Sequence, residues 1–521
     1  MPQQVDVHDQ ASYDALQAKL VPLWKSIERL NTDEQTIVVV PSAHVDVELT
    51  ASQLQAYEER YLFLLFLLRQ PRARMIFVTG QAIHPDIIDY YLDLMPGVIQ
   101  SRARSRLFLV SPMEATYRAL SDKLLDRPRL IDRIRDLIVD PDRAHLVPFM
   151  TTWSDRELAM RLGIPMYGAD PKDVHFGTKS EGRKLFARAG ISHPAGAEDL
   201  HSLDDVVVAT MGLLADSTTT DRVIVKHNEG VSGFGNAIVD LTDLPVGAER
   251  AGVVKERICS MKLNEHAGSI DDYLETLAIE GGIVETMIKG EDLPSPSVQM
   301  RITPLGEVEV LSTHDQILGG EGGQVFVGSR FPANPEYAVQ ISRSARRVGE
   351  LLAEHGIIGR FAIDFMMTRT DDGWQDHAIE LNLRKGGTTH PFLTLQFLTD
   401  GDYDEASGHF LAPSGRRKYY VMTDHLEVEV GDGALERYDG VLQVVAGADQ
   451  PELLACGEQE HERAEGVTED GRIRLLEPVE VVEELHLGRE RGVVLEALDV
   501  LGDLLHALVE PDEQVALGVG Q

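Results

Sequence analysis

The stretch from Gly359 to Pro391, GRFAIDFMMTRTDDGWQDHAIELNLRKGGTTHP, restricts the fold more than any other part of this chain. Phe361 to Met367 and His377 to Leu383 are apolar runs of buried-strand composition. Thr370-Asp371-Asp372-Gly373 between them is turn chemistry, so the spacing predicts a β-hairpin. Pairing symmetric about Asp372 sets Asp364 directly opposite Glu380, and strand alternation adds Asn382 and Arg384 to the same face. Two carboxylates facing each other across a ladder repel, and a cation between them removes that cost. Two acids and an amide, with no His or Cys among them, suit a hard ion such as Mg²⁺ or Mn²⁺ that bridges protein carboxylates to phosphate oxygens. The plain alternative is a solvated hairpin face, and other segments must decide between the two.

With 521 residues, 43% of them hydrophobic, the chain has room for several cores, about three or four domains by length. The longest apolar run, Tyr61 to Leu68, is far short of the roughly 20 residues that span a bilayer. The N-terminus carries no basic-then-apolar leader pattern, so no membrane partner is expected. Two cysteines, Cys259 and Cys456, form no CxxC motif and fit a reducing, cytoplasmic setting. A net charge of -36 argues against a nucleic-acid surface, which draws its affinity from clustered Lys and Arg. A homo-oligomer is compatible with the sequence.

Up to about Asp170 the pattern alternates helix and strand: helices over Tyr13 to Leu30, Gln53 to Arg69 and Ile83 to Leu94, and strands at Thr36 to Val40, Met75 to Thr79, Arg106 to Val110 and Leu146 to Thr151. Ser154 is the expected cap of the next helix. A parallel sheet covered by helices follows, and the absence of GxGxxG after a strand assigns it no dinucleotide.

A second helix is expected from Thr178 to Gly190, with Lys179 in its first turn, where a cation opposes the helix dipole and favours an external anion. Arg222 to Lys226 reads as a buried strand ending in a lysine. Gly230, Ser232, Gly233, Phe234 and Gly235 then make a flexible turn into the strand AIVDL. Backbone N–H groups of such a loop can cradle phosphates beside Lys226, although the Walker pattern is absent and a plain turn reads equally well. The strand Ile283 to Ile288 exits into a polar turn. There Met287 and Ile288 can flank an adenine, with Glu285, Glu291 or Asp292 for polar contacts. Ile317 to Pro332, glycine-rich, reads as a substrate lid too long for a tight hairpin. Pro335 to His355 is an arginine-rich helix. Beyond Gly401 the chain is acidic, with strands at Lys418 to Met422 and Val441 to Val445 and a helix at Val493 to Val509.

Two lysines, a glycine loop, a strand with an acidic hinge, and then Asp364 with the ELNLR string come in an order that resembles the ATP-grasp superfamily of carboxylate-amine ligases. Within it, the GVSGFGN loop, the ELNLRKGGTTHP string and the acidic C-terminal region look most like the peptide ligases of the pheganomycin type. The resemblance implies an α/β and α+β multidomain chain: a pre-ATP-grasp α/β domain over 1–170, an ATP-grasp domain of two lobes over 171–400, and an additional acidic C-terminal domain over 401–521. It implies that Lys179 and Lys226 hold nucleotide phosphates under the loop from Gly230 to Gly235. Glu285, Met287 and Ile288 would meet the adenine, with Glu291 or Asp292 at the ribose. Asp364, Glu380 and Asn382 would bind the metal, and Arg360 and Arg384 would contact the substrate carboxylate and acyl phosphate. The lysine or arginine that many members place near the terminal phosphates has two candidates here, Arg301 and His314.

The implied reaction uses ATP and Mg²⁺ or Mn²⁺ to activate the carboxylate of an amino-acid donor, which the amine of a peptide or other acceptor then attacks. Other readings that keep these residues are an ATP-grasp ligase with a small-molecule acceptor and a non-catalytic ATP-binding scaffold. The scaffold would be expected to lose a metal ligand, whereas all three are present.

Overall fold

The computed structural model describes residues 5–30, 34–42, 50–95, 97–217, 219–230, 235–263, 268–290, 292–319 and 325–423, and the backbone of three short strands between 426 and 444. The C-terminal helix expected over 493–509 lies outside the described residues.

The first part is a four-stranded parallel sheet of β1 (Gln35–Val40), β2 (Ala73–Val78), β3 (Leu107–Val110) and β4 (Ala144–Pro148), in the order β3-β2-β1-β4. The parallel sheet expected from sequence is therefore present. Three local readings change. The helix expected over Tyr13 to Leu30 is two helices, Gln10–Gln17 and Leu20–Leu30. Pro22 is suited to the first turn of the second, where its missing N–H costs nothing. The expected Gln53 to Arg69 helix is α-helical only over Ala51–Glu59, then 3₁₀ over Arg60–Arg69, where Tyr61 to Phe66 and Leu68 are all buried. The cap before Trp153–Leu162 is Thr152 rather than Ser154, because Thr152 and Asp155 close a reciprocal capping box.

A five-stranded antiparallel sheet follows, built from β5 (Gly196–Leu200), β6 (Arg222–His227), β7 (Asn236–Asp240), β8 (Lys262–Leu263) and β9 (Gly282–Thr286), in the order β5-β9-β6-β7-β8. The helix Lys179–Ala189 lies against it, capped by Thr178 and ended by Gly190 at φ 63°. That is the left-handed stop the sequence indicates.

The third sheet has seven strands: β10 (Pro296–Ile302), β11 (Val308–Gly319), β12 (Val325–Phe331), β13 (Gly359–Thr370), β14 (Gly373–Asn382), β17 (Tyr420–Thr423) and β20 (Leu442–Val444), in the order β14-β13-β10-β11-β12-β17-β20. Two short hairpins, β15 (Asp402–Asp404) with β16 (His409–Leu411) and β18 (Leu426–Val430) with β19 (Ala434–Tyr438), stand beside it. Of the stretch read as a lid, 317–332, residues 317–319 and 325–331 are paired strand, with Gly319 opposite Val325, and 320–324 lie outside the described residues. One of its glycines serves close packing: a Cβ on Gly328 would lie 2.3 Å from the Met422 carbonyl oxygen, so glycine there lets β17 approach. β17 belongs to the segment expected to form a separate C-terminal domain. β17 pairs with β12 and so joins the seven-stranded sheet.

One face of this sheet is apolar. Val298, Met300, Phe361, Ile363 and Phe365 pack under the helix Pro335–Glu354, each fully buried large side chain contributing roughly 1.5–3 kcal/mol. A second core runs from Val39 and Phe77 through Phe63 and Phe66 to Phe331, Phe392 and Tyr420, joining the parallel sheet to the seven-stranded one. The other face of the central strands carries Ser297, Gln299, Ser312 and His314, all buried, together with Gln316 and Asp364.

Candidate active site

β13 and β14 turn through Asp371 and Asp372, with Thr370 opposite Gly373. That two-residue turn by itself would set Asp364 against Ile379. A one-residue bulge intervenes: Phe365 pairs with Ala378, the next pair is Asp364 with Glu380, and Ile379 is the extra residue. The bulge has a visible purpose. Ala378 and Leu381, three apart, both reach the core, and Glu380 and Asn382 move to the face of Asp364. The facing pair expected from sequence is present, through a turn centred half a residue away and a compensating bulge.

Around the pair, the Asn382 side chain donates to Asp364 Oδ2 at 3.0 Å and Gln316 Nε2 donates to Oδ1 at 2.8 Å. Arg384 Nη2 donates to Asn382 Oδ1 at 3.1 Å. Lys179 Nζ lies 3.4 Å from Glu380 Oε1 and donates to the Gly230 carbonyl at 2.7 Å. One ammonium thus links the helix start, the entry of the glycine loop and the acidic pair. Burial, then the facing Glu380, pushes the Asp364 carboxyl up to about 6. A divalent cation would reverse that cost.

The donor set fits such an ion: two carboxylates in direct register and an amide oxygen. Among the described residues, no cluster of three acidic, His or Cys side chains could hold a metal by itself. An ion here therefore takes further ligands from elsewhere, as Mg²⁺ does with phosphate oxygens.

On the five-stranded sheet, Lys226 is buried and forms an ion pair with Glu285, whose other oxygen accepts from Arg183 Nη1 at 3.0 Å. Arg183 also donates to Glu198 at 2.7 Å. The Glu285 carboxylate, expected beside an adenine, is shared between two cations, one oxygen to each. Met287 and Ile288 are half-buried just past β9, Met287 N–H donating to the Arg222 carbonyl at 3.2 Å, and Asp292 is exposed. Gly235 is held by the Tyr273 hydroxyl, which donates to its carbonyl at 2.8 Å. Ser232, Gly233, Phe234 and Glu291 lie outside the described residues.

The two candidates for the terminal phosphates differ in exposure: His314 is buried and Arg301 half-buried. His314 is buried against Phe331, its Nε2 2.6 Å from the Tyr420 hydroxyl, and burial pushes its pKa down to about 3, leaving it neutral. Arg301 pairs with Glu309 and lies over the Trp24 ring at 5.1 Å. Arg360 is on the same face as Asp364, toward the open end of the hairpin. Its base is tight: Gly359 sits at φ 108°, and a Cβ there would lie 2.9 Å from Gly168 Cα.

Sequence reasoning missed Gln316 and Ser297, which hold Asp364 from β11 and β10. The available signal was polar residues at every second position, Ser312, His314 and Gln316, in a strand otherwise fit for a core.

A family model described as IQCH-like, ATP-grasp matches residues 173–267 and 249–406. The L-propargylglycine--L-glutamate ligase of Streptantibioticus cattleyicolor is 30% identical over 425 residues, covering 77% of this chain and 83% of that protein. The IQ motif-containing protein H of Danio rerio is 23% identical over 389 residues, covering 66% of this chain but only 36% of that protein. Among solved structures, a biotin carboxylase–β,γ-ATP complex from Campylobacter jejuni aligns at a TM-score of 0.47 and 12% identity, over 77% of this chain and 78% of that one.

Proposed function

Because the chain belongs to the ATP-grasp ligases, we propose that it joins the carboxylate of an amino acid to the amine of a second amino acid or a peptide through an acyl phosphate, releasing ADP and phosphate. The relative named for propargylglycine and glutamate supports two amino-acid substrates. The observation that carries the reading is the bulged pairing of Asp364 with Glu380 beneath the Lys179 ammonium.

Asp364 and Glu380 would hold the metal, with Asn382 as the third ligand once its amide oxygen turns from Arg384. Bound Mg²⁺ supplies neutralisation of the charge on the β- and γ-phosphates. Lys179 and Lys226 meet phosphate oxygens, and Glu285 with Arg183 keeps Lys226 in place. Met287 and Ile288 flank the adenine. The substrate carboxylate oxygen attacks the γ-phosphorus in line, ADP leaves, and the neutral amine then attacks the acyl carbon as phosphate departs and a proton passes to solvent. Arg384, bonded to Asn382, is the cation beside the reacting groups and stabilises the acyl phosphate and the oxyanion that follows. No covalent nucleophile on the protein is needed.

The test is mass spectrometry of products after incubation with ATP, Mg²⁺ and a panel of amino acids and short peptides, with ADP followed in parallel. A new amide in step with ADP is expected. ADP release that depends on no acid or amine in the panel would contradict the ligase reading.

A further inference from the structure

Two cations, Lys385 buried and Arg360 half-buried, stand apart from the metal ligands. The hairpin ladder ends at Ala362 paired with Asn382; Arg360 lies beyond it on β13, and Lys385 three residues past the end of β14. Lys385 is 9% exposed, and its ammonium, which has three N–H groups, makes a single bond among the described residues, to the Pro148 carbonyl at 2.5 Å. Burial and the Arg360 charge push Lys385 down to about 7, and burial and Arg301 push Arg360 down to about 10. The acids that act on them have nearer partners, although the Asp155 Oδ1 is buried without one among the described residues. Glu309 pairs with Arg301, and Asp155 accepts the Thr152 N–H and hydroxyl in the helix cap. Neither Arg360 nor Lys385 has an acidic partner at ion-pair distance among the described residues. Like charges buried together without a counter-ion are costly, and an anion between them removes the cost.

The topology gives a second, independent reason. In the order β3-β2-β1-β4, the chain builds outward from β1 through β2 to β3 and then crosses to place β4 on the other side. The strand order therefore reverses between β1 and β4, and ligands of open α/β sheets bind outside the carboxyl ends of strands at such a point. Pro148, which Lys385 contacts, is the last residue of β4. At the same end, the Thr151 hydroxyl is buried without a partner among the described residues.

We propose that Arg360 and Lys385 together seat a second carboxylate of the acid substrate, so that the donor is a short dicarboxylic amino acid stretched between this seat and the metal. Four residues of β13 separate Arg360 from Asp364, a distance of about 13 Å along the strand. The reach of the arginine side chain closes part of it and leaves the length of such an acid. This deepens the ligase reading above and rests on it: Arg384 serves the reacting carboxylate, and Arg360 with Lys385 serves the distal one.

The experiment compares L-glutamate and L-aspartate with L-glutamine and L-norvaline as donors, in the wild type, Lys385→Met and Lys385→Arg. Wild-type kcat/KM is expected to favour a dicarboxylic acid over its neutral counterpart. That ratio should fall about 10- to 100-fold in Lys385→Met, the loss of a charge-assisted bond, and recover in Lys385→Arg. A structural role for Lys385 would lower both donors together and leave the ratio unchanged, which overturns the proposal. Amide formation that is as fast with neutral acids in the wild type also overturns it while leaving the ligase reading intact. Absence of amide with every acid sinks the ligase reading itself. In that case a thermal shift of the wild type by glutamate but not glutamine, lost in Lys385→Met, would still support the seat, and no such shift would overturn it.

Discussion

The five-stranded and seven-stranded sheets both bury charge, and they treat it in opposite ways. In the first, Glu285 lies between Lys226 and Arg183, and Arg183 also reaches Glu198, so every buried charge meets its opposite inside the protein. In the second, like faces like: Asp364 meets Glu380, and Arg360 acts on Lys385. A compensated network is complete as it stands. The acidic pair has one ammonium beside it, Lys179 at 3.4 Å from Glu380, and Arg360 and Lys385 have no acid at ion-pair distance among the described residues, so in the proposed site a cation at one end and an anion at the other would complete them. The contrast separates residues that position from residues that bind.

If the acidic pair holds the metal, Asp364→Asn and Glu380→Gln should each lower ATP-dependent amide formation by about 100- to 1000-fold, with circular dichroism unchanged. Activity near wild type in both would break the contrast at its strongest point. On the compensated side, Glu285→Ala leaves Lys226 buried without an ion-pair partner among the described residues and Arg183 with Glu198 alone. It should lower unfolding stability by about 3–5 kcal/mol, seen as a lower denaturation midpoint. A variant as stable as the wild type would mean that the network does not carry the lobe.

Acid pH sharpens the comparison further. The Asp364 carboxyl is raised to about 6, so below that pH a proton competes with the metal, and above it the ionised pair needs the cation. Metal affinity, measured by Mg²⁺ titration of activity, should weaken about tenfold for each pH unit below about 6 and level off above it. An affinity flat from pH 5 to 8 would remove Asp364 from the ligand set. The smallest effect is expected where charge is neither buried nor uncompensated. Lys255→Ala breaks a pair with Asp204 that is open to water, and the melting temperature should not move measurably.

The sequence made the hairpin legible because its apolar runs, turn residues and acids lie within about 30 positions of one another. It did not reveal how the facing pair arises. Symmetry about Asp372 reaches the same partners as a turn shifted by half a residue plus a bulge at Ile379, and only the spacing of Ala378 and Leu381 betrays the difference. The lid reading over 317–332 took every glycine as flexibility, and one of them is a packing residue. Gly328 serves a contact with Met422, nearly a hundred residues later, that no local pattern announces. Gln316, Ser297 and Lys385 were illegible for the same reason: each matters through a partner on a strand remote in sequence. His314 looked chemical as a letter and is a neutral core residue in place.

The most direct test of the central claim is the fate of oxygen. The donor acid, labelled with ¹⁸O in its reacting carboxylate, is incubated with ATP, Mg²⁺ and an amine acceptor, and the released phosphate is weighed by mass spectrometry. Activation through an acyl phosphate predicts one ¹⁸O in the phosphate for each amide formed, with ADP as the nucleotide product. Unlabelled phosphate, or label appearing in AMP, would contradict it.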